Sequence, residues 1–127
     1  MRKQGFTLIE IMVIVAILGA LATILIPNAL KARMNANDVM AQASLKVIAG
    51  GLENYLIIKG NYPSDTAALV SVTPPYVNKN YFTGTQSGFI FVATLASYAY
   101  TISASPAIWE STGSTTYTIT TGGIFSN

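Results

Sequence analysis

Any chemistry in this chain must come from five carboxylates, seven cations and a set of hydroxyls, because its 127 residues include no His and no Cys. Disulfides, Cys/His zinc sites, thiol nucleophiles and imidazole acid/base work are thereby excluded. Beyond Glu53 the only acids are Asp65 and Glu110, with nothing beside them to complete a catalytic set, so neither an enzyme nor a cofactor site is expected. Glu10 differs from the rest by its position. It precedes 20 uncharged residues, Ile11 to Leu30, and an acid carried into mid-bilayer costs about 2.5 to 3.5 kcal/mol, less near an interface. One use for it is to complement a helix N-terminus, worth about 0.3 to 1 kcal/mol.

The element that carries Glu10 is apolar on every face. Phe6 to Ile26 holds 17 hydrophobic residues in 21 positions, and a helix of 20 residues is about 30 Å long, the thickness of a bilayer core. Pro27 removes one helical hydrogen bond and Gly19 is a weak helix former. A hinge is therefore expected between Gly19 and Pro27. Past the proline, Ala41, Leu45, Ile48, Leu52, Tyr55 and, at the end of the row, Lys59 step by four and three, with Gln42, Lys46 and Glu53 assigned to the opposite side. This pattern predicts an amphipathic helix with one face to cover. Gly50 and Gly51 weaken it and point to close packing or a bend. Gly60-Asn-Tyr-Pro63 supplies a stop, so the helix is expected to span 6–59, with 6–30 as its membrane segment.

Composition changes at Gly60. Residues 60–127 contain 21 Ser or Thr and only three charges, Asp65, Lys79 and Glu110. Phe89–Leu95, Tyr98–Ala104 and Thr115–Thr121 favour strands, the last two with clean alternation, and short links predict an antiparallel meander. Residues 60–88 read as loop with one helical turn near Asp65–Val70. A sheet region of this size without disulfide or metal needs a partner surface, and the uncovered face along Ala41–Tyr55 is the obvious one. The expected fold class is α+β, one long N-terminal helix whose second half packs on a small antiparallel sheet. Tyr98, Tyr100, Tyr117 and Trp109 are expected as core and rim of that packing.

Three readings compete for the N-terminus. Arg2 and Lys3, the apolar run and Ala20-Leu21-Ala22 compose a secretory signal with cleavage before Thr23. A plain transmembrane anchor is a second reading, although Lys31 and Arg33 cancel the charge asymmetry that would orient it. The third is a resemblance. Gly5-Phe-Thr-Leu-Ile-Glu10, with Met1-Arg-Lys-Gln before it and Pro27-Asn-Ala-Leu-Lys-Ala-Arg33 after the apolar helix, resembles the processing region of bacterial type IV prepilins and type II secretion pseudopilins.

That resemblance implies a pilin fold and a structural role. It implies that residues 1–5 are a leader, that a prepilin peptidase on the cytoplasmic side cuts between Gly5 and Phe6, and that Phe6 is N-methylated. It implies that Glu10 and the Phe6 amine of a neighbouring subunit meet during assembly. The expected partners are other copies of the chain, the peptidase, an assembly platform, and the inner membrane before export to a surface pilus. Cleavage would remove Arg2 and Lys3, taking the side-chain charge from +2 to five cations against five acids, or zero. A periplasmic secretion pseudopilus is the alternative within the family. Its calcium site needs clustered oxygen ligands, whereas Ala104–Asn127 offers Glu110 as sole acid, so no metal is expected. Outside the family, a secreted or membrane-tethered binding module remains an alternative. Lys79 alone makes no nucleic-acid patch.

Overall fold

The computed structural model describes Met1 and Gly5 to Ser126; Arg2, Lys3 and Gln4 of the expected leader lie outside the described residues. One helix, α1, runs Leu8–Lys59, followed by a short 3-10 helix, Thr66–Leu69, and four strands: β1 Phe89–Ala96, β2 Ala99–Pro106, β3 Tyr117–Thr120 and β4 Ile124–Ser126. The strands form one antiparallel sheet in the order β1-β2-β3-β4. This is the α+β, long-helix-plus-meander arrangement expected. By contacts the chain divides into two compact units, Met1–Arg33 and Met34–Asn127.

The first unit is helical from Leu8 and holds no buried residue in its most apolar stretch. Helical structure is unbroken across Gly19 and Pro27, so no local melting is present at the expected hinge. Proline costs a helix one hydrogen bond, and the strong helix formers around it keep the rest of the ladder intact.

The second unit owns the core. Ala41, Leu45, Ile48, Ala49 and Leu52 of α1 are buried with Phe89, Phe91, Tyr100, Ile102, Ala104, Tyr117 and Ile119 of the sheet. Cross-strand register explains the inner face: Phe91 pairs with Ala104 and that with Tyr117, while Ala93, Ile102, Ile119 and Phe125 form the next row. The opposite face consists mainly of hydroxyls, in rows Val92–Ser103–Thr118–Ser126 and Thr94–Thr101–Thr120–Ile124. About a third of the Ser and Thr past Gly60 therefore line the solvent side of the sheet, since alternate residues point to opposite faces, and the rest lie outside the strands.

Three expectations need correction. Tyr98 does not continue the buried row of Tyr100 and Ile102: it sits in the turn between β1 and β2 and is 79% exposed. Trp109 is 60% exposed and belongs neither to core nor rim. Glu53 is not on the solvent side of α1 but turns toward Tyr62 and Tyr100. A fourth strand, β4, was not expected; with three residues it is too short to display alternation. Gly122 and Gly123, both with φ near +75° (78° and 74°), close the β3–β4 turn in a conformation that glycine adopts without steric cost.

Candidate functional site

The N-terminal site is built from local sequence. Gly5, Phe6 and Thr7 precede the helix, and Leu8 is its first residue. The Glu10 N–H donates to Thr7 Oγ1 at 3.3 Å and the Thr7 N–H donates to Glu10 Oε2 at 3.5 Å. Thr7-x-x-Glu10 is thus a capping box, satisfying two N–H groups that the first helical turn leaves unpaired. Its negative end also complements the helix dipole. The sequence carries this signal in the four-residue spacing of Thr7 and Glu10, although the lone acid draws attention first.

The expected site residues lie as follows. The Gly5–Phe6 bond lies outside the helix, and Phe6 is 76% exposed. Phe6 and Glu10 are four residues apart across the helix start. Among the described residues, Glu10 has no cationic partner. Gly19 has open space around it, with no heavy atom within 4 Å of where a Cβ would stand. A shallow apolar groove beyond it is lined by Leu21, Ile24, Leu25 and Asn28. Helix α1 is long and apolar enough to cross a membrane.

A second polar cluster, at the far end of α1, was missed from the sequence. Glu53 Oε1 accepts three hydrogen bonds: from Tyr62 Oη at 3.0 Å, Tyr100 Oη at 3.1 Å and the Gly122 N–H at 3.2 Å. One carboxylate thereby ties the helix to the following loop, to β2 and to the β3–β4 turn. Burial, together with the Glu53 charge and hydrogen bonds, pushes both phenols above their ordinary range. The signal available was that Glu53 borders the apolar stripe beside Leu52. At the other end of the unit Asn37 Nδ2 donates to the Thr112 carbonyl at 2.9 Å. Asp38 lies against Gly113, its Oδ1 buried and without a hydrogen-bond partner among the described residues. Burial raises the Asp38 carboxyl above its ordinary value.

A capped helix with no buried residue in its apolar stretch, in a chain whose second unit carries the sheet and the core, defines a class: a chain that must hide its first unit in lipid or among other helices. Comparison with known proteins makes the class specific. Residues 1–26 match the prokaryotic N-terminal methylation motif. The major component PilA4 of the type IV wide pilus of Thermus thermophilus is 36% identical over 96 residues, covering 72% of this chain and 73% of that protein. The type II secretion system core protein G of Pseudomonas aeruginosa is 40% identical over 68 residues, 54% of this chain and 48% of that protein. The type IV major pilin PilA of Myxococcus xanthus is 37% identical over 78 residues, 61% of this chain and 35% of that protein. The matches to the secretion and Myxococcus proteins thus span about half and about a third of their lengths. The chain belongs to the type IV pilin and secretion pseudopilin family, a family of structural chains.

Proposed function

We propose that this chain is the subunit of a helical type IV pilus, held in the inner membrane as a prepilin, cut after Gly5, methylated on Phe6 and polymerised through its first unit. The observation that carries this reading is the exposed apolar helix with a single acid held at its start. Burying its 17 hydrophobic side chains, at about 1.5 to 3 kcal/mol for each large one, is a strong drive for helices to bundle. Contacts between copies displaced along an axis are heterologous and generate open filaments. Glu10 then selects the register: once Gly5 is removed, the Phe6 amine of one copy and the Glu10 carboxylate of the next attract by about 4 kcal/mol at 4 Å and an effective dielectric of 20, before desolvation. The capping box holds Glu10 in the membrane until that amine arrives. A prepilin peptidase and an assembly platform are the required partners. A signal-peptidase cut after Ala22 fits less well, because that bond lies inside α1, where Thr23 Oγ1 donates to the Ala20 carbonyl at 2.7 Å.

The second reading, a periplasmic secretion pseudopilus, is favoured by the secretion core protein G relatives. Deletion separates the two, through loss of twitching or adhesion in one case and of exoprotein secretion in the other.

The experiment that tests the mechanism is Glu10→Gln. Gln at this position preserves the capping box while removing the charge. Mass spectrometry of the mature chain should find N-methyl Phe6 in both wild type and variant, and electron microscopy of sheared material should find filaments in the wild type alone. Abundant normal filaments from Glu10→Gln would overturn the pairing mechanism, and a chain starting at Thr23 would overturn the pilin reading.

A further inference from the structure

The second unit, 34–127, holds seven charged residues, of which four are hydrogen-bonded or set over an aromatic ring within the chain and a fifth is turned inward. Glu53 accepts three hydrogen bonds and Asp65 caps the 3-10 helix by accepting from the Ala67 N–H at 3.2 Å. Asp38 is turned inward against Gly113. The ammonium groups of Lys46 and Lys79 lie over the rings of Phe125 and Tyr81. The side chains of the remaining two, Glu110 and Lys59, are exposed and make no hydrogen bond or ion pair among the described residues. They stand at opposite ends of the unit. Glu110 is in the loop tied to Asn37 through Thr112, and Lys59 is in the last turn of α1, one turn beyond Tyr55. Asn37 and Tyr55 are 18 residues apart, so the two ends are separated by about 27 Å along the helix.

Each charge sits beside a shape that fits the other. The Glu110 loop is held rigidly: the Ile108 N–H donates to Thr112 Oγ1 at 3.1 Å, that hydroxyl donates back to the Ile108 carbonyl at 3.0 Å, and the Glu110 N–H donates to the Gly113 carbonyl at 2.9 Å. Glu110 itself adopts φ +56°, a left-handed conformation that costs a non-glycine residue energy. These restraints present Ile108 and Trp109 to solvent, 62% and 60% exposed. At the other end, one helical turn from Lys59 by way of Tyr55, is a cleft of about 290 Å³ whose open walls are Tyr55, Asn61, Ser64, Leu95, Ala96 and Ser97, with Tyr62 and Pro63 buried behind them. Its walls are mainly amide and hydroxyl groups, with Tyr55 and Leu95 partly exposed among them, so they can accept from the N–H of an indole while two apolar side chains meet its ring.

We propose that the Ile108–Trp109–Glu110 corner of one subunit docks in the Tyr55/Ser64/Leu95 cleft of another copy, with Glu110 facing Lys59. Knob and cleft lie on different ends of the same unit, so the contact is heterologous and repeats from copy to copy without closing. It couples the sheet domains along a filament independently of the apolar helices, and in that sense it rests on the filament reading above.

A chain without cysteine allows a clean test. Ser111→Cys and Asn61→Cys place thiols beside knob and cleft while leaving Trp109, Glu110 and Lys59 intact. Filaments sheared from cells that express the double variant and then oxidised should run as a ladder of covalent multimers on non-reducing gels, whereas either single variant should not. Trp109→Ser should reduce filament recovery roughly tenfold at unchanged cellular levels of the chain, the scale of losing a buried interface aromatic. Glu110→Lys should reduce it several-fold, and adding Lys59→Glu should restore it. Filaments that give no ladder, or a double charge reversal no better than Glu110→Lys, would overturn this contact while leaving the filament reading intact. Absence of filaments from wild-type cells would overturn both.

Discussion

Asp38 and Glu53 are both acids on the second half of α1, and their surroundings give them opposite effects on folding. Glu53 has three donors on one oxygen, while Asp38 has a buried oxygen with none. A carboxyl raised by burial favours the protonated form in the folded chain, so its cost is absent at pH values below the ordinary 3.8 and grows as pH rises. Asp38→Asn should therefore raise the melting temperature of the detergent-solubilised chain at pH 7, and the gain should vanish near pH 3; thermal melts across that range check it. For Glu53→Ala the expected change is a loss of about 2 kcal/mol, the scale of hydrogen bonds to a charged group, measured by urea unfolding. The phenols of Tyr62 and Tyr100 carry the matching alkaline signature. Their folded-state values lie above the ordinary 10, so their contribution is complete below pH 10 and is lost as pH climbs beyond it. Tyr100→Phe should flatten that alkaline decline, visible as a shallower fall of stability between pH 10 and 12.

At the scale of elements, two adjacent glycines of α1 separate propensity from packing. A Cβ on Gly51 would run into Val77 Cγ2 and stand 3.1 Å from the Tyr76 carbonyl, whereas one on Gly50 meets open space. Gly51→Ala should cost about 1 to 3 kcal/mol through overpacking, and Gly50→Ala should add up to about 1 kcal/mol through helix propensity; paired urea titrations would distinguish them. The helix and its apolar stripe were legible because a period of 3.6 persists over many residues, β1 because its β-branched and aromatic residues favour a strand, and β2 and β3 because apolar and hydroxyl residues alternate there. The rest was lost where such periods end or where polar groups act across elements. Tyr98 extends the alternation of Tyr100 and Ile102 by one step into a turn, β4 is only three residues long, and Glu53 joins partners 9, 47 and 69 positions away. Trp109 lies on a loop whose form depends on the Thr112 hydroxyl, a contact that no periodicity signals. The N-terminal site was legible as an ordered motif, but the capping role of Glu10 required the reciprocal Thr7 geometry.

For the whole molecule, the two units answer to different solvents. Every side chain of the buried hydrophobic core lies between Ala41 and Ile119, while the large hydrophobics of the first unit, from Phe6 to Leu30, are exposed to the extent of 43% to 78%. The core of the second unit is thus made of its own residues, and the exposed apolar side chains of the first call for lipid or other chains to cover them. Removing residues 1–33 should yield a chain that dissolves without detergent, sediments as a monomer and melts cooperatively, within a few degrees of the full chain in detergent. The full chain should precipitate or form large assemblies when detergent is withdrawn. The same truncated chain should fail to enter filaments even with Trp109, Glu110 and Lys59 intact, because the sheet-domain contact adds to the helical bundle and does not replace it. A truncated chain that unfolds, or that co-assembles with the full chain, would show that the two units share more of the folding and assembly energy than their separate burial implies.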